Sequence, residues 1–323
     1  MHRPTTGIGF IRSATVFVIL AMTSHAWAQQ YFRIGTGGTA GSYYPIGTLI
    51  AKAVSVPGQR IVTAQTSNGS LGNVIGVASG SLESGFSQSD VTTWAYSGKG
   101  IFEDKPALTG LRLIANLYPE HVQIVVRKDS SIQSVADLRG KRVALDEIGS
   151  GTLISARLVL EAYGLHESDL KPEYTKPNLS GDKLLGGTID AFFFTGGAPS
   201  PGIAALANGK PGIRLLPIEP TAAERIRKAS PFFFSDTIPP NTYAGVEQTR
   251  TLAVGAQWVT HEKADADLVY DITKALYSAG AQKILADGHA KGPLINLRQA
   301  VQGAAIPIHP GAKRYYKEAG ILN

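Results

Sequence analysis

The chain has no cysteine, which excludes disulfides, thiolate nucleophiles and cysteine-ligated metals. It also has no run of five like charges, whereas a nucleic-acid partner calls for a concentrated basic patch with aromatics for stacking. No acidic residue occurs before Glu83, and both methionines, Met1 and Met22, fall within the first 28 residues. Neither His-Glu-x-x-His nor Gly-x-Ser-x-Gly occurs, and the seven histidines show no metal-ligand spacing. No metal or cofactor is expected. The single apolar core, residues 14–22, is too short for a membrane span, which needs about 20 apolar residues.

What is present begins with an export signal. Arg3 and Arg12 flank that apolar core, and Ala26-Trp27-Ala28 supplies the small-x-small pattern of a cleavage site. Residues 1–28 therefore read as a signal peptide cleaved after Ala28, and the periplasm is the expected location. The segment holds two of the 31 basic residues and none of the 25 acidic ones, leaving 29 against 25, or a net charge of +4. That mild positive balance suits an anionic partner. Residues 29–323 are long for one core and comfortable for two lobes.

Short apolar runs alternate with amphipathic stretches, the pattern of an α/β protein with a mainly parallel sheet. Strands are predicted at 31–35, 61–65, 84–87, 141–145 and 189–194, and helices at 45–54, 71–79, 153–163 and 265–279. Two apolar runs, 111–117 and 122–128, flank Tyr118-Pro119-Glu120-His121 and predict the passage from one lobe to another. A further run at 251–259 predicts the return. The expected division is 29–118 plus 251–323 for lobe I and 119–250 for lobe II.

The strongest local signal is Gly35-Thr36-Gly37-Gly38-Thr39-Ala40-Gly41-Ser42-Tyr43-Tyr44-Pro45, a glycine-rich turn between a strand and a helix. Its glycines let backbone N–H groups approach a ligand, and the helix N-terminus adds partial positive charge, so a carboxylate or phosphate is the expected guest. A dinucleotide is excluded because the acidic residue about 20 positions on is missing, and a P-loop because no Gly-Lys-Ser/Thr follows. Gly149-Ser150-Gly151-Thr152 repeats the arrangement in the other half. Thr195-Gly196-Gly197 ends a strand of three phenylalanines, and Ser70, Asn73, Gln88 and Asp90 stand at other strand ends. In parallel sheets ligands gather at the carboxyl ends of strands. Asp146-Glu147 reads as a solvated turn, His121 as a hinge or wall residue, and Arg157 as a solvated helix residue. A hydrolase built on Ser42 or Ser150 would need a base within reach, and none is apparent.

The segment Ile34 to Gly47 resembles the opening motif of the TAXI family, the solute-binding proteins of TRAP-type secondary transporters. The likeness runs on through Gly69-Ser70-Leu71-Gly72-Asn73, Gln88-Ser89-Asp90, Leu117-Tyr118-Pro119-Glu120, Asp137-Leu138-Arg139-Gly140-Lys141, Gly149-Ser150-Gly151-Thr152 and Ile308-His309-Pro310-Gly311. The resemblance implies an α/β chain with the type II periplasmic-binding-protein fold, two lobes joined by a hinge around a ligand cleft. It further implies a non-enzymatic receptor for glutamate, a dicarboxylate or another small organic acid, working with a TRAP permease driven by an ion gradient. The alternative is the same fold serving an ABC-type importer or a sensor. On this resemblance Gly38, Thr39, Ser42, Tyr43 and Tyr44 form one wall, and Ser70, Asn73, Gln88 and Asp90 extend it. Ser150, Gly151, Thr152, Thr195 and Gly196 close from the other lobe, and Glu120 meets an ammonium or hydroxyl near the hinge.

Overall fold

A computed structural model describes residues 1–2 and 29–323, so the predicted export segment lies almost wholly outside the described residues. Three strand–helix units open the chain. Strands β1 (Gln30–Gly35), β2 (Arg60–Gln65) and β3 (Ser84–Gln88) alternate with helices α1 (Tyr43–Val54), α2 (Ser70–Ser79) and α3 (Ser89–Ser97). The 17-residue β4 (Leu111–Arg127) leads into β5 (Arg142–Ala144), α4 (Gly151–Ala162), β6 (Lys171–Glu173), α5 (Pro177–Leu185), β7 (Ala191–Gly196), α6 (Pro201–Asn208), β8 (Ile213–Leu215), α7 (Pro220–Ala229) and β9 (Phe234–Ile238). The long β10 (Thr249–His261) returns, followed by α8 (Ala266–Leu276), α9 (Ala279–Gly288) and α10 (Pro310–Glu318).

The strands form one mixed sheet in the order β2-β1-β3-β10-β4-β7-β5-β6, with β8 on β4 and β9 on β10. Each flank is parallel, as the strand–helix alternation predicts. The two long strands run antiparallel through the middle. Pro119, which has no N–H for the ladder, faces Gly255 where their register slips.

The hydrophobic cores change over at this crossing. On β4, Ile114, Ala115, Leu117 and Tyr118 pack with Phe32, Ile34, Ile46 and Trp258, while Val122, Ile124 and Val126 pack with Val143, Leu153 and Phe193. On β10, Leu252 and Val254 belong to the second group and Ala256 and Trp258 to the first. The return thus falls at Gly255, somewhat later than the expected 250/251 junction. The C-terminal α10 packs on the first core, where the Tyr316 hydroxyl donates to the Ile114 carbonyl at 2.8 Å.

Candidate functional site

Every parallel strand in this fold ends at a turn that starts a helix, and those turns face one another across the crossing. β1 feeds α1 through the glycine turn, β2 feeds α2 through 66–69, and β5 feeds α4 through 145–150. Between them lies a cavity. Gly38, Ser42, Tyr43, Ser70 and Gln88 line it from the first half. Ser150, Gly151, Thr152, Thr195 and Gly196 line it from the second, with Glu120 on the crossing strand.

The site's centre is Glu120, 2% exposed. The Tyr43 hydroxyl donates to its Oε2 at 2.6 Å and lies 3.5 Å from Ser70 Oγ. Burial pushes the Glu120 carboxyl up to about 8; the Tyr43 bond and Lys291 pull it down and Asp90 pushes it further up. Burial likewise raises the Tyr43 phenol well above its ordinary value, with Glu120 adding to the effect. In the ligand-free cleft at neutral pH, Glu120 is therefore chiefly protonated.

Helix starts line the same cavity as Glu120. Ser150 caps α4, its Oγ accepting from Leu153 N at 3.0 Å, which leaves the first N–H groups of that helix directed at the cavity. Thr152 Oγ1 accepts from Thr195 N at 3.0 Å, and the buried Thr195 Oγ1 has no hydrogen-bond partner. α1 begins at Tyr43 and α2 at Ser70, so three helix N-termini converge on one space. A Cβ on Gly151 would sit 1.6 Å from Gln88 Oε1 and 2.6 Å from Ser70 Oγ, so both side chains would have to move to admit one.

The halves also bond directly to each other. Ser42 Oγ donates to the Gly197 carbonyl at 2.8 Å, Gly72 N to the Gly149 carbonyl at 3.1 Å, and Gln88 Nε2 to Ser155 Oγ at 3.1 Å. Gly202 N donates to the Ala40 carbonyl at 3.1 Å. The cleft is closed.

Four expected residues stand off the cavity. Thr39 is exposed on the outer side of the glycine turn, and the half-buried Tyr44 points away because the helix has rotated by one residue from Tyr43. Asn73 is a clamp: its Nδ2 donates to the carbonyls of Thr36 (2.8 Å) and Phe86 (2.7 Å), in space left by Gly35 and Gly85. Asp90 lies behind Glu120. Its Oδ1 accepts from Val91 N at 2.8 Å, its Oδ2 is buried without a partner, and burial raises the carboxyl to about 7.

The structure corrects the reading of Asp146-Glu147 as a solvated turn. Asp146 is buried at a positive φ of 73°, lines the cavity beside Glu147, and is raised by burial to about 6. Asn68, from the strand-end turn that also holds Ser70, lines the cavity as well; Pro177 and Phe194 also line it and were not anticipated. Nor was Lys291, a buried cation near enough to Glu120 to lower its pKa. Arg127 pairs with Asp129 and Arg157 with Glu167, both away from the cavity. His121 sits next to Glu120 and meets Asp236 at 3.0 Å.

Residues 34–320 match the model of the NMT1-like family. The chain belongs to the NMT1-like family. The fold of this NMT1-like protein is that of two-lobed periplasmic solute-binding proteins. The alkanesulfonate-binding protein SsuA from Xanthomonas axonopodis pv. citri, bound to MOPS, superposes with a TM-score of 0.50 at 18% identity, over 89% of this chain and 83% of that one. A protein of Bordetella bronchiseptica RB50 gives 0.53 at 16% identity over 90% and 82%. A periplasmic transporter gives 0.52 at 14% identity over 91% and 93%. These likenesses are of fold, and neither they nor the family match extend to the TAXI family or to a TRAP permease.

Proposed function

We propose that this NMT1-like protein is a periplasmic receptor, exported by residues 1–28, that closes two lobes over a small organic acid and delivers it to a membrane transporter. The hinge of this reading is the paired crossing at Pro119–His121 and Gly255. The observation that carries it is one cavity lined by the starts of three helices and the unpartnered Thr195 hydroxyl, and by the buried Glu120 that Tyr43 contacts. The helix starts and that hydroxyl suit a carboxylate or sulfonate. Glu120 suits an ammonium or a hydroxyl, so the ligand of this reading is an amino acid or an amino sulfonate.

A hydrolase is the weaker reading, because both serine hydroxyls are engaged: Ser42 donates to a carbonyl and Ser150 caps a helix. For the transporter, an ABC-type importer has better support than a TRAP permease, since an alkanesulfonate-binding protein shares the fold. The Ile34–Gly47 motif favours the TRAP alternative.

Protein expressed with its own leader and purified from a Gram-negative periplasm tests the receptor role. Its melting temperature is measured against glutamate, glutarate, taurine and ethanesulfonate, because a ligand bound only by the folded state stabilises it by about 2.7 kcal/mol at a hundred times Kd. A rise of several degrees with one of them is expected; no rise across the panel counts against the proposal. Uptake into vesicles that requires ATP assigns the ABC class, and uptake abolished by an ionophore assigns the TRAP class.

A further inference from the structure

Beside the ligand cavity, through Ile154, Trp94 and Phe232, none of which lines it, the two halves meet in a second, apolar contact. Ile154 belongs to α4 of the second half but to the first half's buried cluster, which also holds Val74 and Val77 of α2 and Val91 and Ala95 of α3. It is 6% exposed there. Nearby, Trp94 of α3 meets Phe232, which packs on the second core, edge to face at a centroid distance of 6.1 Å and an interplanar angle of 89°. The Gln88–Ser155 hydrogen bond lies next to Ile154 in sequence and spans the same gap. Ile154, Trp94 and Phe232 stand outside the cavity lining. Apolar burial and an edge-to-face aromatic pair stabilise whichever arrangement brings the halves together.

We propose that Ile154 and the Trp94–Phe232 pair form a clasp that holds the lobes shut without ligand and sets ligand affinity from outside the cavity. The proposal rests on the two-lobed closing reading given above. A receptor binds in proportion to the fraction of molecules already in the competent state, so a clasp that populates the closed state raises apparent affinity without touching the ligand. Loss of the aromatic pair shifts the closed–open equilibrium about fivefold toward open. Truncation of Ile154 shifts it about tenfold or more.

The test uses the exported protein in wild-type form and as Ile154→Ala, Ile154→Val and Phe232→Ala, each checked by circular dichroism for an intact fold. Small-angle scattering without ligand should show a larger radius of gyration for Ile154→Ala and Phe232→Ala, with Ile154→Val near wild type. Trp94 is half-buried at the contact and Trp258 fully buried in the core, so a red-shifted emission in Ile154→Ala reports opening at Trp94. Calorimetry with the panel ligand that binds should show affinity lowered in proportion to the closed fraction that scattering shows to be lost. Ligand-free scattering and emission identical to wild type overturn the clasp, and so does unchanged affinity in a variant that scattering shows to be mostly open. If no panel acid binds, the receptor reading fails, while the ligand-free scattering still decides the clasp.

Discussion

Replacing Glu120 with glutamine gives the most direct test of how the cavity is built. Glutamine keeps an oxygen for the Tyr43 hydroxyl, which donates at 2.6 Å, and removes only the ionisable proton. The carboxyl is pushed up by burial to about 8 from an ordinary 4.5. The folded state therefore binds more protons than the unfolded chain between these values, and stability falls as pH rises through them. At about 1.4 kcal/mol per tenfold, the cost at pH 8 is on the order of 4 kcal/mol, and near pH 5 it is small. For a chain of this size about 2 °C accompanies each kcal/mol, so Glu120→Gln should melt about 8 °C above wild type at pH 8 and close to it at pH 5. Differential scanning calorimetry of both proteins without ligand, across that range, is the assay. Asp146 is also raised by burial, but it is present in both proteins and cancels in the difference; Asp90 acts on Glu120, so the glutamine also removes that interaction, and the comparison reports the coupled pair. Parallel melting curves would refute the reasoning, because they would mean that Glu120 is wet and ionised in the free protein.

Gly151→Ala should hold the halves apart, because its Cβ would collide with Gln88 and Ser70 across the gap; calorimetry should show binding weakened about 30-fold with the ligand-free melting temperature nearly unchanged. Ser42→Ala removes the 2.8 Å bond to the Gly197 carbonyl, and a loss of about fivefold in affinity is expected in the same measurement. Asn73→Ala leaves the carbonyls of Thr36 and Phe86 without a donor, so the urea midpoint should drop by an amount equivalent to about 2 to 3 kcal/mol, whatever the ligand. An ammonium ligand such as glutamate needs Glu120 ionised, so its affinity should rise nearly tenfold per pH unit from 6 towards 8. A flat pH profile for an ammonium ligand would show that Glu120 is not its partner.

Much of this architecture was legible because its signals are local. The glycine turn after β1 and the Gly149–Thr152 turn before α4 announce themselves by turn chemistry, and the alternation of strand and helix periods implies the parallel flanks. Which side chains enter the cavity is a matter of tertiary packing, and there the sequence was a poorer guide. Tyr43 and Tyr44 are adjacent and chemically alike, but one residue of helix rotation puts only Tyr43 on Glu120. Asn73 has the composition of a ligand contact and the role of a clamp between strand ends. Asp146 looked solvated because a neighbouring acid in a turn is the usual mark of a surface. Its positive φ and the closure of the opposite half bury it instead. Lys291 stands far along the chain from any turn motif, with nothing local to connect it to Glu120.

An anion can be held by helix dipoles and hydroxyls without an arginine. The described lining goes further: it offers no arginine or lysine side chain and does present Glu120, Asp146 and Glu147. Lys176 meets Glu147 at 3.4 Å and offsets one of these acids, and Lys291 acts on Glu120 from behind. A dianion would place its second charge against buried carboxyls, which must then stay protonated to tolerate it. A ligand with one anionic group and one ammonium meets the helix ends with the first and releases the Glu120 proton with the second, so both of its charges are matched. Charge matching at two ends also fixes orientation. In a cleft with so few directional side chains, the separation between Glu120 and the α4 terminus then selects the ligand by the distance between its charges.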